Sequence, residues 1–263
     1  QEGAHVMAAR GASFQRILEK YFPGTSVRKD TETRRRGDGV SANPTIHWLA
    51  DILLTASPNP RVAASPSPRV LVLSSEHFRV TYPADVDRRD TNQVLSTLES
   101  ARADFLRRAN AASISIGDLP TLEIRLNEST GDFTAHTGQP WWAAAATKGN
   151  RIELQPVALL KRRGVLTTTL RHELAHVVID AVSHNHAPRW LEEGFAIYLA
   201  GEGSMFTRYQ GKRALPPEEL EKRIERPGSQ QEMRALYADA YLAVRYQVMT
   251  DGEASVWKRV AGS

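Results

Sequence analysis

Apolar side chains recur at helical spacing in several stretches of the chain from residue 91 onwards. Between residues 91 and 109 they would line one face of an amphipathic helix, at Val94, Leu95, Leu98, Ala101, Phe105 and Leu106. The same periodicity predicts helices over 165–182, 190–199, 217–226 and 231–250. Two stretches nearer the N-terminus, 13–21 and 46–54, also have helical spacing.

A different pattern, the alternation of apolar and polar residues, predicts strands ahead of these helices. Residues 78–82 and 122–126 alternate, and 70–73 are continuously apolar. Residues 142–146 and 152–155 are predicted to form a hairpin that turns at 148–150. Strands followed by helices indicate an α+β fold, with a mixed sheet ahead of a helical C-terminal lobe.

Composition limits what kind of protein this is. The chain of 263 residues has no cysteine, which excludes disulfides, a cysteine nucleophile and cysteine metal ligands. The net charge is +4, but the basic runs 34–36 and 161–163 are not interleaved with aromatic residues, so no nucleic-acid partner is predicted. No apolar run approaches 18 residues, so no membrane span is predicted.

The candidate chemistry is concentrated in the pentapeptide HELAH (His172–His176). Residues i and i+4 share one helix face, so both imidazoles can reach one ion. Two imidazoles and a carboxylate, with the fourth position left for water, suit Zn²⁺. The ion lowers the pKa of that water towards about 7 and polarises the substrate carbonyl. Glu173 can then take the water proton and pass it to the leaving amine.

Other residues near this helix offer alternatives. Asp180 lies in the last predicted turn, where the helix dipole disfavours an anion, so it is either a residue that orients a ligand histidine or a solvated helix end. A metzincin site is rejected, because Ile179 and Val182 occupy the positions where that class has Gly and a third His. We expect His184 and His186 in the loop that follows.

The segment WLEEGFA (Trp190–Ala196) resembles the second signature of gluzincin metallopeptidases. The nearest similarity is to the peptidase MA-like families, relatives of the aminopeptidase N group. The resemblance implies a gluzincin fold of the thermolysin and aminopeptidase N kind. It also implies that Glu193, directly before the Gly, is the third metal ligand. Its neighbour Glu192 is expected to be a solvated charge on the helix surface.

Two further features resemble the same families. The segment LYADAY (Leu236–Tyr241) is similar to the helix that supplies their catalytic tyrosine, and Tyr237 is the better match by position. Its phenol would hydrogen-bond the oxyanion, with Tyr241 as the alternative; otherwise both are core aromatics. The hairpin 142–155 is either an ordinary part of the sheet or, as in those families, a border of the cleft that pairs with substrate.

A second resemblance concerns the first 30 residues, which are similar to the end of a stage II sporulation protein D domain. It rests on Gln1, Gly3, Ala4, Met7, Ala8, Gly11, Phe14, Ile17, Leu18 and the run Tyr21–Thr25. We take residues 1–29 as the tail of that domain, 30–74 as a linker with a Pro/Ser-rich tract at 57–68, and 75–263 as the peptidase domain. The resemblance implies an exported protein of the bacterial cell envelope or periplasm.

These expectations converge on zinc-dependent hydrolysis of peptide bonds, with Glu173 and Tyr237 catalytic and His172, His176 and Glu193 binding the metal. The expected partner is a peptide or protein substrate, with cell-wall material reached through an upstream domain. The alternative is a non-catalytic or latent metal-bearing module that binds the cell wall or a protein partner. A module of that kind has no use for a general base at residue 173.

Overall fold

The computed structural model describes residues 70–210, 215–225 and 227–263. The helices predicted at 13–21 and 46–54, the tail 1–29 and the Pro/Ser-rich tract therefore lie outside the described residues. The rest of the predicted pattern can be compared element by element.

A five-stranded mixed sheet forms the N-terminal part of the described chain. Its strands are β1 (Val70–Ser74), β2 (Phe78–Pro83), β3 (Leu122–Leu126), β4 (Ala145–Lys148) and β5 (Arg151–Leu154), in the order β1-β2-β3-β5-β4. The pairs β2–β3 and β3–β5 are parallel, and both outer pairs are antiparallel. β1 lies within the predicted linker 30–74, so the sheet begins before the predicted domain boundary.

Helices follow and interleave with these strands. They are α1 (Arg88–Ala111), α2 (Thr130–Thr137), α3 (Val157–Arg162), α4 (Leu166–Ser183), α5 (Arg189–Ala200), α6 (Gly203–Phe206), α7 (Pro217–Ile224), α8 (Gln230–Asp251) and α9 (Glu253–Ala261), with a 3-10 turn at Thr207–Tyr209. The α+β prediction is confirmed. α2 was not predicted because Phe133 is its one buried residue, too few to show a periodicity.

The predicted hairpin is present, but its first strand was placed too early. β4 begins at Ala145 rather than at residue 142, because a turn in which Ala143 N–H donates to the carbonyl of Pro140 (3.0 Å) precedes it. β4 then runs through Lys148, and the reversal falls at Gly149, which has a positive φ of 59°. This shift of the strand is what brings Thr147 onto the edge strand of the sheet.

The core lies between one face of the sheet and helices α1 and α4. Along β2, Phe78 and Val80 are fully buried while Arg79 is exposed, as expected for a sheet with one covered face. α1 packs on both β2 and α4, and α4 also contacts β4. α5 packs between α4 and α8. Within the part of the chain described, no helix is both long and apolar enough to cross a membrane.

Candidate metal centre

Helix α4 brings the two motif histidines together. His172 and His176 lie one turn apart, both fully buried, with their Nε2 atoms 2.9 Å from each other. The apolar residues of α4 pack into the core and hold the helix in place, among them Leu170 and Leu174. Both rings therefore offer the same nitrogen to one point inside the protein.

Helix α5 supplies the third donor. Oε2 of the buried Glu193 lies 3.6 Å from Nε2 of His172 and 3.6 Å from Nε2 of His176. A tetrahedral ion with bonds of about 2.05 Å separates its donor atoms by roughly 3.3 Å, so this triangle of donors is close to the required size. The three residues form a buried group that could hold a metal ion.

The second ring nitrogen of each histidine is bound by a carboxylate. Nδ1 of His172 lies 2.8 Å from Oε2 of Glu202, and Nδ1 of His176 lies 2.9 Å from Oε1 of Glu192. A carboxylate on Nδ1 keeps that nitrogen protonated in the neutral ring, which leaves Nε2 as the atom able to bind a metal, and it also fixes the plane of the ring. Both histidines thus have the orientation that a metal ligand would need.

Two expectations about these orienting groups were wrong. Glu192 was expected to be solvated, yet it is buried and is the residue that binds His176. Asp180 was one candidate for that orienting role, but Glu192 and Glu202 occupy both Nδ1 positions. Nor is Asp180 a solvated helix end: it is half-buried, and burial together with the charge of Glu192 raises its pKa to about 6.

Glu202 was missed in the sequence because it lies outside both motifs. It follows Gly201, the left-handed C-cap that ends α5, and it is almost fully buried. The chain reverses at this glycine, so a residue beyond the helix reaches back to His172. A glutamate directly after a helix-ending glycine could have drawn notice, but nothing in the sequence connects it with His172.

Glu173 points into the same buried region. Its Oε2 accepts a hydrogen bond from Thr147 Oγ1 on the edge strand β4 (2.5 Å), and its Oε1 has no hydrogen-bond partner among the described residues. Burial raises the pKa of Glu173, although His172, His176 and the Thr147 hydroxyl oppose the rise. Thr147 was not singled out in the sequence; the register of β4 places it here.

The charges around the centre favour a cation. Glu173, Glu192, Glu193 and Glu202 bring four carboxylates into one buried region, where a single guanidinium, Arg189, contacts two of them. Uncompensated buried charge is costly. Burial would lower the pKa of His172 and of His176, but the neighbouring carboxylates outweigh it in both and raise the pKa of His172 to about 10. A divalent ion bound at the two Nε2 atoms would take the place of the protons that a raised pKa favours there.

The two tyrosines of α8 have different surroundings. Tyr237 is almost fully buried, and its phenol is near enough to Arg189 to affect the pKa of that guanidinium. The ring of Tyr241 lies over Gly203, so close that a Cβ there would overlap it. Tyr237 is therefore the tyrosine on the side of the metal centre, and Tyr241 fills the gap beside α6.

The remaining histidines of the segment do not join the site. His184 is the left-handed C-cap of α4, and both His184 and His186 are exposed in the loop between α4 and α5, as predicted.

Comparison of the chain with known families and with curated proteins found no family model and no curated protein that matches it.

Proposed function

We propose that this protein is a zinc-dependent metallopeptidase of the gluzincin type, related to the peptidase MA-like families. The observation that carries the proposal is the meeting of three buried donor atoms, on His172, His176 and Glu193, with the carboxylate of Glu173 beside them. The order of the motifs along the chain agrees with it, since HELAH precedes the Glu-Gly signature. The gluzincin fold itself is part of the proposal.

The donor set favours zinc over other common ions. Two imidazoles and one carboxylate are the ligands of catalytic zinc in peptidases, whereas Mg²⁺ and Ca²⁺ prefer oxygen ligands alone. A zinc ion held there supplies a water of lowered pKa and polarises the carbonyl of the scissile bond.

Glu173 acts as the general base and then as the general acid. Thr147 holds one carboxylate oxygen, and the other accepts the proton of the attacking water. The protonated carboxyl then delivers that proton to the leaving amine, so Glu173 ends the cycle as it began. The anchoring hydrogen bond keeps the second oxygen at a constant position through both transfers.

Tyr237 donates its phenolic hydrogen to the oxyanion that forms when the carbonyl carbon becomes tetrahedral. Its burial on α8, next to Arg189 and thus near Glu193, supports this role over Tyr241. The neighbouring β4 is an edge strand, which lets an extended peptide lie beside it. The resemblance of residues 1–29 supports an envelope location, and the proposed substrate is a peptide or a protein.

The direct test is hydrolysis by the full chain and by its Glu173→Gln variant. The probes are denatured casein and a random decapeptide library, and bound metal is measured on the same samples. We expect one zinc per chain in both proteins. The rate of hydrolysis should fall by about 100- to 10,000-fold in the variant, which is the range for loss of a general base. Glu219→Gln, an exposed change on α7, serves as the matched control and should retain full activity.

Equal rates for wild type and Glu173→Gln would show that Glu173 is not the base. One zinc per chain with no cleavage of casein or of any library peptide would favour the non-catalytic metal-bearing module instead.

A further inference from the structure

Arg189 begins helix α5, one turn before the third metal ligand. Its backbone N–H donates to Oε1 of Glu221 on α7 (2.8 Å), and the next N–H, of Trp190, donates to Oε2 of the same carboxylate (3.0 Å). A carboxylate at a helix N-terminus is favoured by the helix dipole and by the unpaired N–H groups there. The first turn of α5 is therefore held in place from outside the helix.

The guanidinium of Arg189 binds two carboxylates of the centre at once. Its Nη2 lies 2.8 Å from Oε1 of Glu193, and its Nη1 lies 3.3 Å from Oε2 of Glu192. Burial would lower the pKa of Arg189, but these carboxylates outweigh it and raise the pKa. The guanidinium thus stays charged and contacts both the third ligand and the residue that orients His176.

As a consequence, the two oxygens of each carboxylate have different partners. In Glu193, Oε1 faces Arg189 while Oε2 faces the two histidine Nε2 atoms. In Glu192, Oε2 faces Arg189 while Oε1 binds Nδ1 of His176. Neither carboxylate can rotate without breaking a contact at its other oxygen.

We propose that Arg189 is a positioning residue that restricts Glu193 to binding the metal through one oxygen. This rests on the proposed function, because it takes the metal site as given. A carboxylate that binds through both oxygens occupies two coordination positions, which would displace the water or the substrate carbonyl. By holding Oε1, Arg189 keeps the open position that a catalytic site needs and a structural site lacks.

Arginine suits this role because its guanidinium presents several donors in a rigid plane, so it can serve two carboxylates simultaneously. Lysine is a compact point charge on a flexible stem and cannot reproduce this fork. The geometry therefore predicts that charge alone is insufficient at position 189. Arg189→Lys separates the effect of charge from the effect of the fork, and Arg189→Gln removes both.

The first test compares the visible absorption of wild type, Arg189→Lys and Arg189→Gln after loading with Co²⁺ in place of zinc. The second measures the zinc affinity of the same three proteins by competition with a chelator. In both variants we expect weaker visible Co²⁺ absorption, the signature of a higher coordination number, as Glu193 binds through both oxygens. Zinc affinity should fall by about 10- to 100-fold, as when other groups that orient metal ligands are lost. Arg245→Gln, an exposed change on α8, is the control and should alter neither quantity.

Removing Arg189 leaves the buried carboxylates of Glu192 and Glu193 without their guanidinium, which destabilises the fold. The double variant Arg189→Gln/Glu192→Gln therefore removes one charge of each sign. The glutamine at position 192 can still accept the hydrogen bond of His176. The Co²⁺ spectrum of the double variant should therefore differ from that of wild type in the same way as the spectra of the single variants. Unchanged spectra and zinc affinity in the folded single or double variant would overturn the role of Arg189 alone. Failure of the wild type to bind either metal would instead overturn the proposed function.

Discussion

Burial has opposite outcomes for two adjacent acidic groups of the centre, according to their neighbours. Burial opposes ionisation of Glu193, yet Arg189 and His176 hold the pKa of Glu193 well below its usual range. Burial raises the pKa of Glu173, and the groups that act against this rise are His172, His176 and the Thr147 hydroxyl. Glu193 is thus kept anionic, as its proposed role of metal ligand requires, while Glu173 is made a better proton acceptor, as its proposed role of general base requires.

Burial also raises the pKa of Asp239, which lies away from the candidate metal centre. It lies on α8, almost fully buried, where burial raises its pKa to about 6 from an ordinary 3.8, although the N–H of Leu215 and the charge of Arg223 both act to lower it. The folded protein therefore holds a proton on Asp239 at pH values where the unfolded chain has released it. Between pH 3.8 and about 6 the stability contributed by this group falls as pH rises.

We predict that Asp239→Asn stabilises the protein at neutral pH. The difference in the free energy of unfolding should be near zero at pH 4 and grow to at most about 3 kcal/mol above pH 6, since each pKa unit corresponds to about 1.4 kcal/mol. Urea denaturation of both proteins across pH 4 to 7.5 measures it. A difference that does not change with pH would show that Asp239 does not titrate in this range.

Among helices, the close approach of α5 and α8 depends on one residue. Gly194, next to Glu193, faces α8 directly: a Cβ there would overlap the carbonyl oxygen of Ala240 and lie 2.9 Å from Cγ2 of Val244. Only a residue without a side chain allows this contact. The glycine that follows Glu193 therefore sets the distance between the helix of Glu193 and the helix of Tyr237.

We predict that Gly194→Ala destabilises the protein by about 1–3 kcal/mol. The overlap is with backbone, which cannot rotate away, so overpacking outweighs the gain of up to about 1 kcal/mol in helix propensity. Thermal unfolding followed by circular dichroism measures the change.

The matched control is Gly131→Ala, at an exposed position of α2 where a Cβ would lie 3.5 Å from Ser129 Oγ. It should be neutral or slightly stabilising. Equal effects of the two substitutions would show that the α5–α8 contact is not as tight as described.

Helix α4, which carries His172 and His176, is also held in place by contacts made by Arg171. Arg171, directly before His172, donates to Asp104 on α1 (2.9 Å) and to the carbonyl of Leu199 on α5 (2.8 Å). One side chain thus links α1, α4 and α5. Because α4 is held on both sides, rotation of the helix about its axis cannot easily move His172 and His176 out of register with Glu193.

At the scale of the whole molecule, the candidate site lies where the sheet and the helical part meet. β4 contributes Thr147, α4 contributes His172, Glu173 and His176, and α5 contributes Glu193. A buried centre with more carboxylates than cations costs stability when no metal is bound. Metal binding should therefore stabilise the entire fold and not only a loop.

We predict that zinc raises the melting temperature and that a chelator lowers it. At zinc concentrations about 1,000 times the dissociation constant, linkage contributes about 4 kcal/mol, which corresponds to roughly 10 °C for a domain of this size. Differential scanning calorimetry with zinc and with EDTA measures the shift.

The variant His172→Ala/His176→Ala lacks two of the three donors and should show no such dependence on zinc. If the wild type melts at the same temperature in EDTA and in zinc, the buried group does not bind zinc.

The sequence by itself determined the parts that depend on local periodicity. Helical spacing predicted α1, α4, α5 and α8 to within a few residues at their ends, and alternation predicted β2 and β3, because burial of one face is recorded in the order of residues. It also placed His172 and His176 on one helix face, since a spacing of four residues is a property of the helix alone.

Only the tertiary structure decided which groups surround those histidines. Glu202, Arg189 and Thr147 meet the centre from a helix-ending turn, a helix start and an edge strand. Their positions depend on how α5 packs on α4 and on the register of β4, neither of which has a local signature. Glu192 was misread for the same reason: the sequence shows a charge at the first position of the Glu-Glu pair, and only packing decides whether water or His176 faces it.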